Sequence, residues 1–110
     1  MAFLQARLLL IALAASSPAL AQSASTWRDK ATAFVTANMQ HTAWGVSHGE
    51  RDYRLALEIA RRDNIVVDDD VLFAAGMLHD IAAFAPWAKA GVDHGVRAAE
   101  VLPDSFRAWG

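Results

Sequence analysis

The chain is 110 residues long, 55% hydrophobic and 20% charged, with 10 basic against 12 acidic residues, so it has room for one domain at most and no basic excess for nucleic acid. It contains no cysteine, which excludes disulfides and thiolate metal sites; any metal must be held by histidine and carboxylate. Arg51, Arg54, Arg61 and Arg62 interleave with Glu50, Asp52, Glu58 and Asp63, the pattern of an ordinary solvated helix face.

Residues 1–21 are expected to form a signal peptide. The single positive charge of Arg7 precedes the apolar run Leu8 to Ala15, and Ala19-Leu20-Ala21 puts small residues where signal peptidase needs them. The run of 8 apolar residues falls well short of the roughly 20 that span a bilayer, so no stable membrane insertion is expected after cleavage. Cleavage after Ala21 leaves residues 22–110 in the periplasm or secreted, with 9 basic against 12 acidic residues.

The rest reads as helical throughout, because the only β-branched run, Ile65-Val66-Val67, is too short to found a sheet. A first helix opens at Ser25 or Thr26 and runs to about Met39, with Trp27, Ala31, Phe34, Val35 and Asn38 on one face and Thr36 and Asn38 weakening its later half. After a loop from Gln40 to Gly45, Ser47-His48-Gly49-Glu50 has the form of a capping box, which puts His48 in the first turn of a second helix. Leu55, Ala56, Leu57, Ile59 and Ala60 make the apolar stripe of that helix, and Asp63-Asn64 closes it.

Asp68, Asp69 and Asp70 lack the spacing of a calcium loop and read instead as the acidic start of a third helix, offsetting its dipole. From Val71 to Leu78 this helix is apolar on nearly every side, as expected of one buried centrally in a bundle, and it ends in His79-Asp80. Pro86 breaks the pattern, Lys89 to Val92 is a loop, and a last helix starts near Asp93-His94 and continues through Val101, where Pro103 ends or bends it. Ser105 to Gly110 then reads as the start of a further amphipathic segment, so the bundle is expected to be incomplete at its C-terminus.

His79 follows Leu72, Ala75 and Gly76 by seven, four and three positions, so its imidazole projects from the stripe they form. Asp80 lies about 100° further round, and at a helix end both can converge on one ion. A carboxylate in so apolar a setting needs a cation or a hydrogen-bond network beside it.

The run Ser47-His48-Gly49-Glu50-Arg51, an amphipathic helix, then Asp68 to Leu78 and His79-Asp80-Ile81, with 31 residues from His48 to His79, resembles the core of the HD superfamily of metal-dependent phosphohydrolases. The resemblance covers Ala43 to Leu102 and implies an all-α bundle of HD-domain type in residues 22–110. It further implies metal ligation by His48, His79 and Asp80, with Arg51 neutralising phosphoryl charge and Asp80 a ligand or an orienter of the nucleophile. The implied cofactor is a divalent ion: manganese, iron, zinc, nickel or cobalt, which suit mixed nitrogen and oxygen ligands. The implied reaction is hydrolysis of a small phosphorylated substrate, a phosphomonoester or phosphodiester, by a metal-bound hydroxide.

His94 is similar to a later histidine of the family that helps bind a second metal or a phosphate; it reads equally as a first-turn histidine capped by Asp93. His41 has a weaker claim as a ligand, and Trp44 reads as core or pocket wall. The chain departs from the family in two ways: the HD pair continues as Ile81-Ala82-Ala83 without the lysine many members carry, and the downstream aspartate that completes the metal set has no counterpart. Asp104 comes too early and sits beside Pro103. These departures fit a truncated or degenerate phosphohydrolase. They also fit a non-catalytic periplasmic helical binding module with structural histidines, which would self-associate through its uncovered faces.

Overall fold

The structure, a computed structural model, describes residues 24–110; the expected signal peptide lies outside the described residues. The described residues are all-helical, with α1 at Trp27–Asn38, α2 at Val46–Arg62, α3 at Asp69–Leu78, a single 3₁₀ turn at Ile81–Ala83, and α4 at His94–Trp109. No helix among them is long and apolar enough to cross a membrane.

α1 starts where its cap dictates. The Thr26 hydroxyl accepts from the Asp29 amide and the Asp29 carboxylate accepts from the Thr26 amide, a reciprocal pair that satisfies two otherwise orphaned donors. The Thr26 amide, and then the Thr26 hydroxyl, donate to the Asp29 carboxylate and hold that carboxyl below its ordinary value. Thr36 and Asn38 bond back to the carbonyls of Thr32 and Phe34, and α1 continues through both.

The capping box expected at Ser47 does not form: α2 begins at Val46, its N-cap is Gly45, two residues before Ser47, and no side chain caps it. His48 nevertheless stands in the first turn. Of the expected stripe of α2 Ala60 is buried and Ala56 and Leu57 are half-buried, but Leu55 and Ile59 are exposed, and Gly49, outside the stripe, is buried. Small residues decide this, because they let two helix backbones approach. A β-carbon at Gly49 would stand 3.0 Å from the Gly76 carbonyl oxygen, and one at Gly76 would stand 2.9 Å from Cβ of Tyr53. α2 and α3 therefore cross antiparallel at glycine distance, and the first turn of α2 faces the last turn of α3.

Asn64, at φ 55°, ends α2 in the left-handed conformation that asparagine tolerates, and the Ile65 amide closes the helix on the Ala60 carbonyl at 2.8 Å. Asp68 caps α3 as expected, accepting from the amides of Asp70 and Val71. Asp69 and Asp70 do more than offset a dipole: both bond to the Arg28 guanidinium, at 2.9 and 2.6 Å, and Arg28 lies 4.6 Å over the Phe73 ring. The pairing raises the Arg28 pKa, chiefly through Asp70, and ties α1 to the start of α3.

The core gathers Ala31, Val35, Met39, Met77, Leu78, Ile81, Ala82, Ala98 and Leu102, with Trp27, Phe34, Phe73, Trp87 and Trp109 packed around it. α3 is not buried on all sides. Met77 and Leu78 are enclosed, but Val71 is 65% exposed and Ala75 is exposed, because α1, α2 and α4 leave one flank of α3 uncovered among the described residues. Pro103 does not end α4, which runs through it to Trp109. Proline lacks the N–H that would reach the Ala99 carbonyl, and Ala99 is exposed, so water is within reach of that group.

Candidate metal centre

The apolar anchors on either side of Asp80 fix its place. Leu78 and Ile81 are fully buried, and the Ala83 amide donates to the Asp80 carbonyl at 3.0 Å, closing a tight turn against α4. Asp80 is consequently 8% exposed, the one buried charged residue among the described residues. The crossing of α2 over α3 delivers His48, the end of α3 delivers His79, and the start of α4 delivers His94.

The three imidazoles converge on one carboxylate. Asp80 Oδ2 lies 3.2 Å from His48 Nε2 and 3.0 Å from His79 Nε2, and Asp80 Oδ1 lies 3.2 Å from His94 Nε2. Asp93 caps α4 through the amides of Gly95 and Val96, which leaves the His94 ring free to reach Asp80. Asp52, one helical turn after His48, adds a second carboxylate, with Oδ2 3.2 Å from His48 Nε2 and 3.9 Å from His79 Nε2. His48, Asp52 and His79 each bring a ligand atom within 4.8 Å of the others, a group able to hold a metal ion.

The ring nitrogens turned away from Asp80 assign the hydrogens. His79 Nδ1 lies 3.0 Å from the Ala75 carbonyl oxygen and 3.1 Å from that of Gly76. Carbonyls only accept, so Nδ1 carries the hydrogen and the lone pair of the neutral ring sits on Nε2, pointing at carboxylate oxygen. Lone pair against lone pair at 3.0 Å is repulsive unless a proton or a cation stands between them. His48 has the opposite arrangement. Arg51 Nη2 donates to its Nδ1 at 3.2 Å, so the hydrogen of the neutral ring is on Nε2 and points at Asp52 and Asp80.

The structure thus brings His48, Arg51, His79, Asp80 and His94 into one cluster. His41 stands apart: its Nδ1 accepts from the Ala43 amide, and its ring packs beside Trp44 and Phe84. Trp44 is 46% exposed and is no part of the core. Asp104 pairs with Arg107 on an exposed side of α4. Asp52 is the residue that reading for a solvated face passed over; its signal was the four-residue spacing from His48, which puts both on one helix face.

Comparison with known protein families, characterised proteins and solved structures finds no match to this chain.

Proposed function

We propose that this protein is a metal-dependent phosphohydrolase of HD type, exported to the periplasm or secreted, that hydrolyses a phosphomonoester or phosphodiester. The observation that carries the reading is the His79 imidazole, fixed with its Nε2 lone pair 3.0 Å from a buried carboxylate, where a cation relieves the repulsion. The order of His48, Arg51 and the pair His79-Asp80 along the chain gives the family resemblance, and their contacts make one site.

The donor set fits the group. Imidazole nitrogen and carboxylate oxygen without sulfur suit manganese, iron, zinc, nickel or cobalt. His48, Asp52, His79 and Asp80 would hold the ion, with Asp52 contributing the carboxylate that the family takes from a downstream helix. A divalent ion bound there supplies Lewis acidity, making water nucleophilic near neutral pH and drawing charge from phosphoryl oxygens. Arg51, released from His48, pairs with the phosphate through its planar fork of donors. His94, 48% exposed and on the far oxygen of Asp80, is positioned to contact a phosphate or a second ion.

The test is metal content and turnover together. Full-length protein dialysed against buffer should retain a divalent metal and release p-nitrophenol from its phosphate mono- or diester, and His79→Ala should lose both. Metal-free protein whose properties are unaffected by His79→Ala would overturn the reading. One observation favours a second reading, a non-catalytic helical module: among the described residues no buried side-chain nitrogen or oxygen lacks a hydrogen-bond partner, so no fully buried group calls for an ion. That module would show a melting temperature that rises with protein concentration and ignores added metal.

A further inference from the structure

Asp52 reaches the cluster through the rotation of α2 about its own axis. Among the described residues its carboxylate meets no hydrogen-bond or ion-pair partner except the His48 and His79 imidazoles. His48 has a hold of its own, 3.2 Å from the buried Asp80. Several contacts of α2 index its rotation weakly: no side chain caps its start, its close approach to α3 is made at Gly49 and Gly76, and Leu55 and Ile59 are exposed. Side-chain tips stand about 5–6 Å from a helix axis, so turning α2 by about 10° carries the Asp52 carboxylate about 1 Å. Metal–ligand distances tolerate roughly 0.2 Å.

Tyr53, the next residue, supplies the index. Its hydroxyl donates to Asp69 Oδ1 of α3 at 2.5 Å and accepts from Arg28 Nη1 of α1 at 3.3 Å, and Arg28 Nη2 closes the triangle on Asp69 Oδ2 at 2.9 Å. Outside the His–Asp cluster, no other side-chain hydrogen bond joins α2 to another helix among the described residues. The Tyr53 ring stands edge-on to Phe73, centroids 5.3 Å apart, and the Tyr53 backbone lies against Gly76. Arg28 is held independently of Tyr53, by Asp70 at 2.6 Å and by the face of the Phe73 ring. The hydroxyl is therefore pinned, as donor and as acceptor, to a post that belongs to α1 and α3.

We infer that Tyr53, pinned by Asp69 and Arg28, is a positioning residue for the metal centre: it sets the rotation of α2 that aims Asp52 at the same point as His48 and His79. The inference rests on the metal-dependent reading and extends that site to residues that touch neither metal nor substrate. Its mark is coupling. Tyr53 acts on the ion through Asp52, so the effects of changing the two residues do not add. A tyrosine that only stabilised the fold would weaken metal binding by the same factor whether or not residue 52 is a ligand.

The test is a double-mutant cycle on full-length protein with cobalt(II) as the probe. Calorimetry gives its affinity, and the visible absorption of the bound ion reports the ligand set. Tyr53→Phe removes the hydroxyl and keeps the ring against Phe73; it should weaken cobalt binding about ten- to a hundredfold and alter the absorption in the same way as Asp52→Asn. In an Asp52→Asn background the same change should weaken binding less than about twofold. Asp69→Ala, which leaves Tyr53 whole but without its acceptor, should repeat both results, and it carries the cycle if circular dichroism shows Tyr53→Phe unfolded. Cobalt bound by Tyr53→Phe as by wild type, or an equal loss with and without the Asp52 carboxylate, overturns the inference and leaves the metal-dependent reading standing. Wild-type protein that binds no cobalt overturns that reading, and the inference with it.

Discussion

Replacing Gly76 by alanine tests the helix crossing that brings His48 to His79. The added β-carbon would stand 2.9 Å from Cβ and 3.1 Å from Cα and N of Tyr53, where ordinary contact begins at 3.4 Å. Backbone atoms cannot swing aside as a side-chain tip can, so α2 must retreat by about 0.5 Å. Overpacking of this kind costs about 1–3 kcal/mol, and alanine in place of glycine within a helix returns about 0.8–1.0 kcal/mol. The net is a destabilisation of up to about 2 kcal/mol, which lowers a urea midpoint by up to roughly 1.5 M for a chain of this size. Tryptophan fluorescence reports the transition, since Trp27, Trp87 and Trp109 pack against the core. The same retreat exceeds the roughly 0.2 Å tolerance of metal–ligand distances, so affinity for a divalent ion should fall in parallel. A raised midpoint, as helix propensity alone requires, would refute the claim that backbone contact sets the crossing.

Three further outcomes are expected. Arg51→Met should tighten metal binding and weaken turnover, because Arg51 holds the hydrogen of His48 on the nitrogen that faces the carboxylates; calorimetry showing weaker metal binding would contradict this. Asp52→Asn should reduce metal affinity about tenfold or more while leaving the unfolding free energy of the metal-free protein within about 0.5 kcal/mol of wild type, and unchanged affinity would remove Asp52 from the ligand set. The Asp69 carboxyl is held below its usual 3.8 by the Tyr53 hydroxyl and then by Arg28, so ionised Asp69 stabilises the fold above that value and the contribution is lost as pH falls through the lower, folded one. The urea midpoint should therefore drop on acidification below about pH 4, and Asp69→Asn should make that drop shallower; an identical acid slope in the variant would exclude this linkage.

The helices themselves were legible because their signals are local. The Asp68 and Asp93 caps and the Asp63-Asn64 stop act within a few residues of themselves, and each was found where expected. The start of α2 shows the limit of such signals: Ser47 and Glu50 have the right types, yet the helix reaches back to Val46, which packs against the core. Pro103 does not stop α4 for the same reason, since Ala98 and Leu102 on one side and Trp109 further on pack into the core and hold the helix continuous across the missing hydrogen bond.

By itself the sequence determined the residue types available for a site and the helix ends on which they stand: His48 in a first turn, His79-Asp80 closing an apolar helix, His94 behind a capping aspartate. Which of them meet was decided by tertiary structure alone. Gly49 and Gly76 let α2 and α3 approach backbone to backbone, and that close crossing, not the stripe of large residues, turns Asp52 into the cluster and Leu55 out of it. The uncovered flank of α3 was equally hidden, because an apolar helix reads the same whether neighbours enclose it or leave Val71 and Ala75 facing an open cleft. Periodicity reports which side chains avoid water; it does not report which neighbour arrives to cover them.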